Sequence, residues 1–265
     1  MYSVIIPCFN SSKTLITALN SVVMQTIKPL DICIVDDCSS DGTLEVARKF
    51  KEDFTEIQIK IKILSKNSGA ATARNFAIGM AETNLLAFLD ADDEWHNSKM
   101  EIQLGIMKRL KLDILGSLVY AFQDETLETH LKEYSEPPQI NSLKTDSLSL
   151  RSMLFSNKLI TPSVVMRKEI NLCFNENLRY AEDFDLWLRI LSSKKRAGLV
   201  LYPLVKLAKP SFGASGLSSH LLKMELGEMK AIFNCFSYAP VTVIFSLIYS
   251  ILKFFRRVLV VWIRK

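Results

Sequence analysis

The first 90 residues switch regularly between two hydrophobic periods, and this alternation limits the fold more than any other feature of the chain. Runs typical of buried strands predict strands over residues 3–7, 31–36, 57–64 and 85–89. Apolar residues at helical spacing predict helices over residues 12–25, 41–50 and 68–81. Ser40 or Asp41 is the expected N-cap of the second helix. Strands that alternate with helices indicate an α/β fold, a mostly parallel sheet flanked by helices on both faces.

Beyond Trp95 the pattern is looser. Further helices are predicted over residues 98–110, 147–155, 181–191 and 219–236, and further strands within residues 113–122, 162–167 and 199–205. The polar stretch 123–145 is expected to be a loop or lid, and 206–219 a second loop. A chain of 265 residues is long enough for one large α/β domain with an appendage. We therefore expect a domain over residues 1–220 and a C-terminal helical segment over residues 221–265.

Charge and cysteine content argue against several classes of protein. The net charge is only +5, and five of the basic residues lie between Lys253 and Lys265, where no residue is acidic. A nucleic-acid-binding protein would need a basic stripe on its folded body, so no nucleic-acid partner is expected. The five cysteines are odd in number and lack C-x-x-C spacing, which favours free thiols. Met1 leads within three residues into a strand, without a visible signal peptide, which predicts a cytoplasmic domain.

The functional loops of a parallel α/β sheet lie at the carboxyl ends of its strands. The first strand ends in Pro7-Cys8-Phe9-Asn10, and the absence of glycine there argues against a dinucleotide site. Phe9 could stack on a flat base or pack in the core. The second strand ends in Asp36-Asp37. Two adjacent carboxylates repel each other and are costly to place together unless they bind something, and one of them could accept hydrogen bonds from a base or ribose. Helix capping explains the polar residues that follow them, but not this pair.

An arginine follows the third predicted strand, and an acidic cluster follows the fourth. Small residues over 68–73 begin a helix, and Arg74 follows them. Arg74 would serve a phosphate or carboxylate if it points into the site, and is otherwise a surface residue. Four carboxylates lie among residues 90–94, directly after a buried strand. Their burial needs compensation, and oxygen ligands favour Mg²⁺ or Mn²⁺. A solvated acidic loop is the alternative.

A last acidic cluster, Glu182-Asp183-Phe184-Asp185, begins the predicted helix over residues 181–191. Acidic residues in the first turn interact favourably with the helix dipole, which is one explanation. The other is that one of these carboxylates accepts a proton during catalysis.

In this order, the segments resemble family 2 glycosyltransferases of the GT-A fold, in particular bacterial members that build surface polysaccharide. The segments are Ser3-Val4-Ile5-Ile6-Pro7, Val35-Asp36-Asp37, Gly69-Ala70-Ala71-Thr72-Ala73-Arg74-Asn75, Phe88-Leu89-Asp90-Ala91-Asp92-Asp93 and Glu182-Asp183. The resemblance covers about residues 1–220. It implies that a sugar passes, with inversion, from a nucleoside-diphosphate sugar, foremost a UDP-sugar, to a hydroxyl of a growing, lipid-linked saccharide.

The resemblance also implies roles for single residues. Asp183 would be the general base, and Glu182 beside it would orient the acceptor. Asp92 would bind Mn²⁺ or Mg²⁺ directly, with Asp90 near the ribose or the metal. The residues implied to bind the donor are Pro7, Phe9, Asp36, Asp37, Arg74, Asp90 and Lys209. The loop over 206–219 resembles the segment that closes over the donor in such enzymes, but it departs from the version with arginine and histidine in other members. Lys209 in this loop is our candidate for contact with the diphosphate.

The C-terminal segment is apolar but interrupted by charge. Residues 239–252 are uncharged, which is shorter than the roughly 20 residues that a spanning helix needs. On a helical projection, one stripe is polar: Thr242, Ser246, Ser250, Lys253, Arg257 and Arg264. The opposite side is apolar: Ile244, Ile248, Ile251, Phe255, Val258 and Trp262. This pattern predicts a helix in the membrane interface, at the inner face of the cytoplasmic membrane. Packing against the domain or another subunit is the alternative.

Three other functions compete with glycosyl transfer. A nucleotidyltransferase would normally show a Gly-rich phosphate loop near the first strand, and none is present. A phospho-accepting signalling domain would be about half as long and would place its paired acids after the first strand. A catalytically inactive subunit that binds nucleotide sugars is disfavoured by Asp90, Asp92 and Asp183 but stays open.

Overall fold

The computed structural model describes residues 1–121, 139–208 and 221–263. The strands in this part of the chain are β1 (Ser3–Cys8), β2 (Asp31–Asp36), β3 (Gln58–Ile63), β4 (Leu85–Phe88), β5 (Glu94–Trp95), β6 (Ile114–Ala121), β7 (Thr145–Leu148), β8 (Val165–Arg167) and β9 (Ala197–Leu207). The helices are α1 (Leu15–Val23), α2 (Thr43–Asp53), α3 (Ala70–Met80), α4 (Lys99–Leu110), α5 (Leu150–Phe155), α6 (Glu182–Ser192), α7 (Leu221–Phe233) and α8 (Pro240–Ile263). Short 3-10 helices cover Thr161–Ser163 and Lys168–Ile170.

The strands form one sheet in the order β3-β2-β1-β4-β8-β6-β9-β5, with β7 paired to β9. The first four strands in this order are parallel, and β1 pairs with β2 from Ser3 opposite Asp31 to Cys8 opposite Asp36. Their carboxyl ends therefore meet at one edge of the sheet. The loops that follow β1, β2 and β4 lie side by side at this edge, as the alternation of strands and helices predicts.

The second half of the sheet is mixed. β6 and β9 are parallel, whereas β8 runs antiparallel between β4 and β6, and β5 and β7 pair antiparallel with β9. Because β8 is antiparallel to β4, the segment before β8 returns to the carboxyl end of β4. The Thr161–Ser163 turn therefore lies close to the acidic loop that follows β4.

Both faces of the sheet are covered by helices, which confirms the predicted fold class. Side chains alternate along each strand, so Ile5 faces one core, whereas Val4 and Ile6 face the other. The first core contains α3 and α6, and here the rings of Phe88 and Trp187 make an edge contact, with centroids 6.1 Å apart. The second core contains α1, α2 and α4. All five cysteines are free, as predicted.

Several predicted boundaries differ from the structure. Gly42, not Ser40 or Asp41, is the N-cap of α2, and Asp41 instead accepts a hydrogen bond from the Thr43 N–H (3.0 Å). The helix predicted over 147–155 begins only at Leu150, because residues 145–148 pair with β9. The strand predicted over 162–167 begins with a 3-10 turn. Most of the predicted lid over 123–145, most of the loop over 206–219, and Lys209 lie outside the described residues.

Helix α8 packs its polar stripe inward. Ser246 and Ser250 are buried, and the Ser250 hydroxyl donates to Glu225 Oε1 of α7 (2.6 Å). Arg257 bonds Glu228 of α7 (2.8 Å), and Lys253 lies 3.7 Å from the same carboxylate. The polar stripe therefore packs against the protein, which was the alternative prediction for this segment.

The opposite side of α8 is apolar and exposed. Its outward residues include Val241, Ile244, Phe245, Ile248, Tyr249, Ile251, Leu252, Phe255, Val258 and Leu259. Among the helices of the described ranges, none is both long and apolar enough to cross a bilayer.

Helix α7 joins this C-terminal unit to the rest of the domain. A Cβ atom on Gly227 would lie 2.5 Å from the Tyr180 carbonyl oxygen, so glycine permits the helix to approach the backbone just before α6. Farther along, the Asn234 amide of the turn after α7 donates to Asp185 of α6 (3.1 Å). The position of α6 therefore depends on its contact with α7.

We expect Gly227→Ala to lower the free energy of unfolding by roughly 1–3 kcal/mol, because the added methyl group overlaps a backbone oxygen. Gly79→Ala in α3 is the matched control, since its Cβ meets nothing within 4 Å. The control should be neutral or stabilise by about 0.5–1 kcal/mol. Urea unfolding measures both, and equal stability of the two variants would contradict the close approach of α7.

Candidate active site

The loops after β1 and β2 are joined by hydrogen bonds. The Asn10 N–H donates to Ser39 Oγ (2.9 Å), and Asn10 Oδ1 accepts from the Ser40 N–H (2.9 Å). The Ser11 N–H donates to Thr43 Oγ1 at the start of α2 (2.7 Å). Asn10 has a positive φ of 49°, which asparagine tolerates better than most residues. These contacts fix one wall of a cleft, with Phe9 projecting from it and 49% exposed.

The two adjacent carboxylates of the second strand end have different surroundings. Asp37 accepts hydrogen bonds from the Ser68 and Gly69 N–H groups, both at 2.7 Å. Gly69 has a φ of +93°, a conformation that side-chain-bearing residues rarely adopt, so glycine is needed at this turn. Asp36 accepts from the backbone N–H and hydroxyl of Ser39. Asp37 therefore ties the β2 loop to the start of α3, whereas Asp36 holds the turn that follows β2.

Arg74 links the acidic loop after β4 to the start of α6. Its Nη2 bonds Asp90 Oδ1 (2.7 Å), its Nη1 bonds Glu182 Oε1 (3.0 Å), and its side chain is only 7% exposed. The guanidinium also lies over the Phe174 ring, 5.3 Å from the centroid. Burial favours the neutral form, but Asp90 and Glu182 raise the pKa of Arg74 above its ordinary value. Arg74 therefore stays charged between two carboxylates that are 92 residues apart in the chain.

The carboxyl groups of Glu182 and Asp183 lie together at the N-terminus of α6. Desolvation raises the pKa of Glu182 to about 7, while Arg74 opposes the rise and Asp183 adds to it. Desolvation also raises the pKa of Asp183, against the opposing effects of Arg74 and of the hydrogen bond from Thr161 Oγ1 (3.0 Å). A buried carboxylate with a raised pKa binds a proton more readily than an exposed one, which suits a general base.

The acidic loop after β4 divides into two parts. Asp90 and Asp92 line a cleft, whereas Asp93 is buried and its Oδ1 accepts from the Ala208 N–H (3.0 Å). Asp93 therefore anchors the end of β9. Within residues 1–121, 139–208 and 221–263, no cluster of three or more Asp, Glu, His or Cys side chains is placed to hold a metal. Two carboxylates fit Mg²⁺ or Mn²⁺ when substrate phosphates complete the coordination.

Three adjoining cavities surround these residues. A cleft of about 660 Å³ is lined by Pro7, Phe9, Asp37, Arg74, Asp90 and Asp92, among others. A second cavity of about 560 Å³ shares Phe9 and Asp37 and reaches Glu182. A third, of about 310 Å³, contains Arg74, Asp90, Glu182 and Asp183. The structure thus gathers the predicted site residues around Arg74, except Asp36, which lines none of these three, and Lys209, which lies outside the described residues.

Three contacts of the site are not predicted from the sequence. Thr161 bonds Asp183, Asn10 joins two loops, and Phe174 lies beneath Arg74. Thr161 carries no local signal, because its position depends on the antiparallel course of β8. Asn10 directly follows Phe9 at a strand end, a place where polar side chains commonly join loops, so its sequence position was a usable signal.

Residues 3–167 match the sequence profile of glycosyl transferase family 2. The chain is 31% identical to TuaG of Bacillus subtilis, named for teichuronic acid biosynthesis, over 72% of each chain. It is 30% identical to WfaP of Escherichia coli, a UDP-Glc:α-D-GlcNAc-diphosphoundecaprenol β-1,3-glucosyltransferase, over 74% of this chain and 72% of WfaP. With AmsB of Erwinia amylovora, named for amylovoran biosynthesis, the identity is 30% over 71% of this chain and 63% of AmsB.

Solved structures show the same fold. Staphylococcus aureus TarS, residues 1–349 with UDP, superposes with a TM-score of 0.65 at 21% identity, over 88% of this chain and 65% of that one. The mannosyltransferase PcManGT of Pyrobaculum calidifontis, solved with GDP-Man and Mn²⁺, gives a TM-score of 0.67 at 14% identity, over 94% and 72%.

Replacing Arg74 with methionine should destabilise the protein by roughly 3 kcal/mol at pH 8, because carboxylates lose their buried cation. Arg74 lowers the pKa of Glu182 and Asp183, so its loss raises both values further. Protonated carboxyl groups do not need the cation. The stability difference between Arg74→Met and the wild type should therefore shrink as the pH falls from 8 towards 4.5. Urea unfolding at both pH values measures this.

Arg48→Met is the matched control for that experiment, because Arg48 is exposed on α2 and has no ion pair among the described residues. Its effect should be within about 0.5 kcal/mol at either pH. If the stability that Arg74→Met loses does not change with pH, the proposed ionic role is wrong.

Proposed function

Because this chain belongs to glycosyl transferase family 2, we propose that it transfers a sugar, with inversion, from a nucleoside-diphosphate sugar to a hydroxyl of a lipid-linked saccharide. The observation that carries this proposal is the bridge from Asp90 through Arg74 to Glu182. This bridge joins Asp90, which lines the nucleotide-sized cleft, to the carboxylate pair of Glu182 and Asp183. The family match favours this reaction over nucleotidyl transfer.

In this proposal Asp183 is the general base. The acceptor hydroxyl attacks the anomeric carbon from the face opposite the leaving nucleoside diphosphate, and its proton passes to the Asp183 carboxylate. The Thr161 hydroxyl donates to Asp183 Oδ2 and so orients the carboxylate. Glu182 bonds Arg74 through one oxygen, which leaves its other oxygen to hold an acceptor hydroxyl. Attack from the opposite face inverts the anomeric centre.

The donor would occupy the 660 Å³ cleft. Phe9 would lie against the base, Pro7 beside it, and Asp37 or Asp36 near the base or ribose. Asp90 Oδ1 is bound to Arg74, and its second oxygen would serve the ribose or the metal.

Asp92 would be the direct ligand of Mn²⁺ or Mg²⁺, which neutralises the charge that develops on the leaving diphosphate. Lys209 would contact this diphosphate when its own loop, over residues 206–219, closes over the donor. Its role is tested by Lys209→Ala, which should weaken donor binding.

Known relatives and neighbours suggest the substrates. TarS structures contain UDP or UDP-GlcNAc, which supports a UDP-sugar donor. The name of WfaP specifies a diphosphoundecaprenol-linked acceptor, and TuaG and AmsB are named for polysaccharide biosynthesis. We place this chain in the same type of pathway, the assembly of a cell-surface polysaccharide on a lipid carrier.

Replacing Asp183 with asparagine should lower kcat by about 10²–10⁴-fold, because the isosteric amide cannot accept the proton. Donor affinity should stay unchanged, since Asp183 lies in the smaller cavity rather than the donor cleft. Turnover of the wild type should fall as the pH falls through the raised pKa of its base. Steady-state kinetics and donor titration measure both quantities, and undiminished turnover of Asp183→Asn would contradict the assignment.

The chain is also proposed to act at the membrane surface, peripheral to the inner face of the cytoplasmic membrane. Support comes from the outward apolar face of α8, where Leu252 and Phe255 are 63% and 64% exposed. Lys253 and Arg257 pair with Glu228 and Glu225 of α7, so the formal charges of these four residues cancel. In this proposal, insertion of the apolar side chains of α8 is the main driving force of membrane binding.

The double substitution Leu252→Ser/Phe255→Ser should weaken binding to phosphatidylcholine vesicles at least about tenfold, because two apolar side chains no longer leave water. It keeps the net charge unchanged. The control Arg256→Gln removes an exposed charge on the same helix and should have a small effect. Vesicle co-sedimentation with and without 0.5 M salt measures this. Binding that salt abolishes, or that the double substitution does not change, would contradict apolar insertion.

A further inference from the structure

The 310 Å³ cavity has features that donor binding does not explain. It combines Asp183 and Thr161 with Arg179, which precedes α6, and with Met224 of α7. Its volume lies at the small end for ligand sites, so it suits one sugar rather than an oligosaccharide. A sugar here would lie beside Asp183. The inference below rests on the proposed transferase function and concerns the acceptor that this cavity holds.

Arg179 is the available cation at the rim of this cavity. Of the two arginines that line it, Arg74 is already bound to two carboxylates. Arg179 is exposed and makes no hydrogen bond or ion pair with any residue in the described ranges. It also lines the neighbouring 560 Å³ cavity, so it stands at the boundary of the two. An exposed guanidinium binds phosphate through paired hydrogen bonds.

The cavity also borders helix α7. Tyr180, the residue after Arg179, is in backbone contact with Gly227 of α7, and Met224 of the same helix lines the cavity. Helix α7 packs against α8, whose outward face is apolar. From Asp183 outward, the molecule therefore presents a sugar-sized cavity with a cation and an apolar methionine at its border.

We propose that Arg179 binds the phosphate of an acceptor in which the accepting sugar is linked directly to a lipid phosphate or diphosphate. The sugar occupies the 310 Å³ cavity beside Asp183. The lipid chain leaves the cavity past Met224 of α7. The acceptor is thus a lipid-linked monosaccharide, and Arg179 is a specificity-determining residue for its anionic group.

Farnesyl diphosphate is a suitable probe, because it has the phosphate and chain of such an acceptor without a sugar. Titration calorimetry in saturating UDP and Mn²⁺ keeps the probe out of the donor cleft. Wild-type protein should bind it, and Arg179→Gln should weaken its binding at least tenfold. Arg179→Lys should show an intermediate loss, because lysine keeps the charge but not the paired donors. Farnesol, which lacks phosphate, should bind wild type and Arg179→Gln equally.

Arg48→Gln, an exposed arginine on α2, is the matched control and should change nothing. Separate titrations should give the same UDP affinity for wild type and Arg179→Gln. The inference is overturned if Arg179→Gln binds farnesyl diphosphate like wild type, if wild type does not bind it, or if Arg179→Gln loses UDP affinity instead. In all three cases, turnover of a nucleotide sugar by the wild type would leave the proposed function standing.

Discussion

The bridge that Arg74 forms between Asp90 and Glu182, with one ion pair to each, is the interaction on which the site depends. The two carboxylates come from different parts of the chain and are partly shielded from water, with side chains 30% and 12% exposed, so a cation between them offsets their repulsion. Arg74 provides it from the second turn of α3, and the Phe174 ring supports the guanidinium. One side chain therefore fixes the distance between the acidic loop after β4 and the start of α6. In the proposed reaction, these are the donor side and the base side.

Other contacts extend this arrangement along the sheet edge. Asn10 joins the β1 and β2 loops, and Asp37 joins the β2 loop to the turn before α3. Each loop is thus tied to the next by a polar side chain of the protein itself. Such preorganisation reduces the cost of ordering the site on binding. On the far side, Gly227 lets α7 contact Tyr180 just before the base helix, and α7 in turn bonds the polar stripe of α8.

The sequence predicted the parallel half of the sheet well, because each strand there is a continuous apolar run between helices of clear period. It did not predict β5, β7 or the antiparallel direction of β8, since these short strands are defined by partners distant in sequence. The polar and apolar stripes of α8 were also predicted, but not which stripe contacts the protein. An amphipathic pattern cannot show this when Glu225 and Glu228 of another helix neutralise the polar side. Likewise, the sequence identified Arg74, whereas its link to Glu182 required the fold.

Release of nucleoside diphosphate from a panel of nucleotide sugars, measured with Mn²⁺ and with chelator, tests the central claim most directly. The account predicts that at least one donor, foremost a UDP-sugar, is turned over only with the metal, and that Asp92→Asn abolishes this turnover. If no donor gives metal-dependent release, the site is not that of a working transferase, and a nucleotide-sugar-binding subunit without activity would describe the chain better.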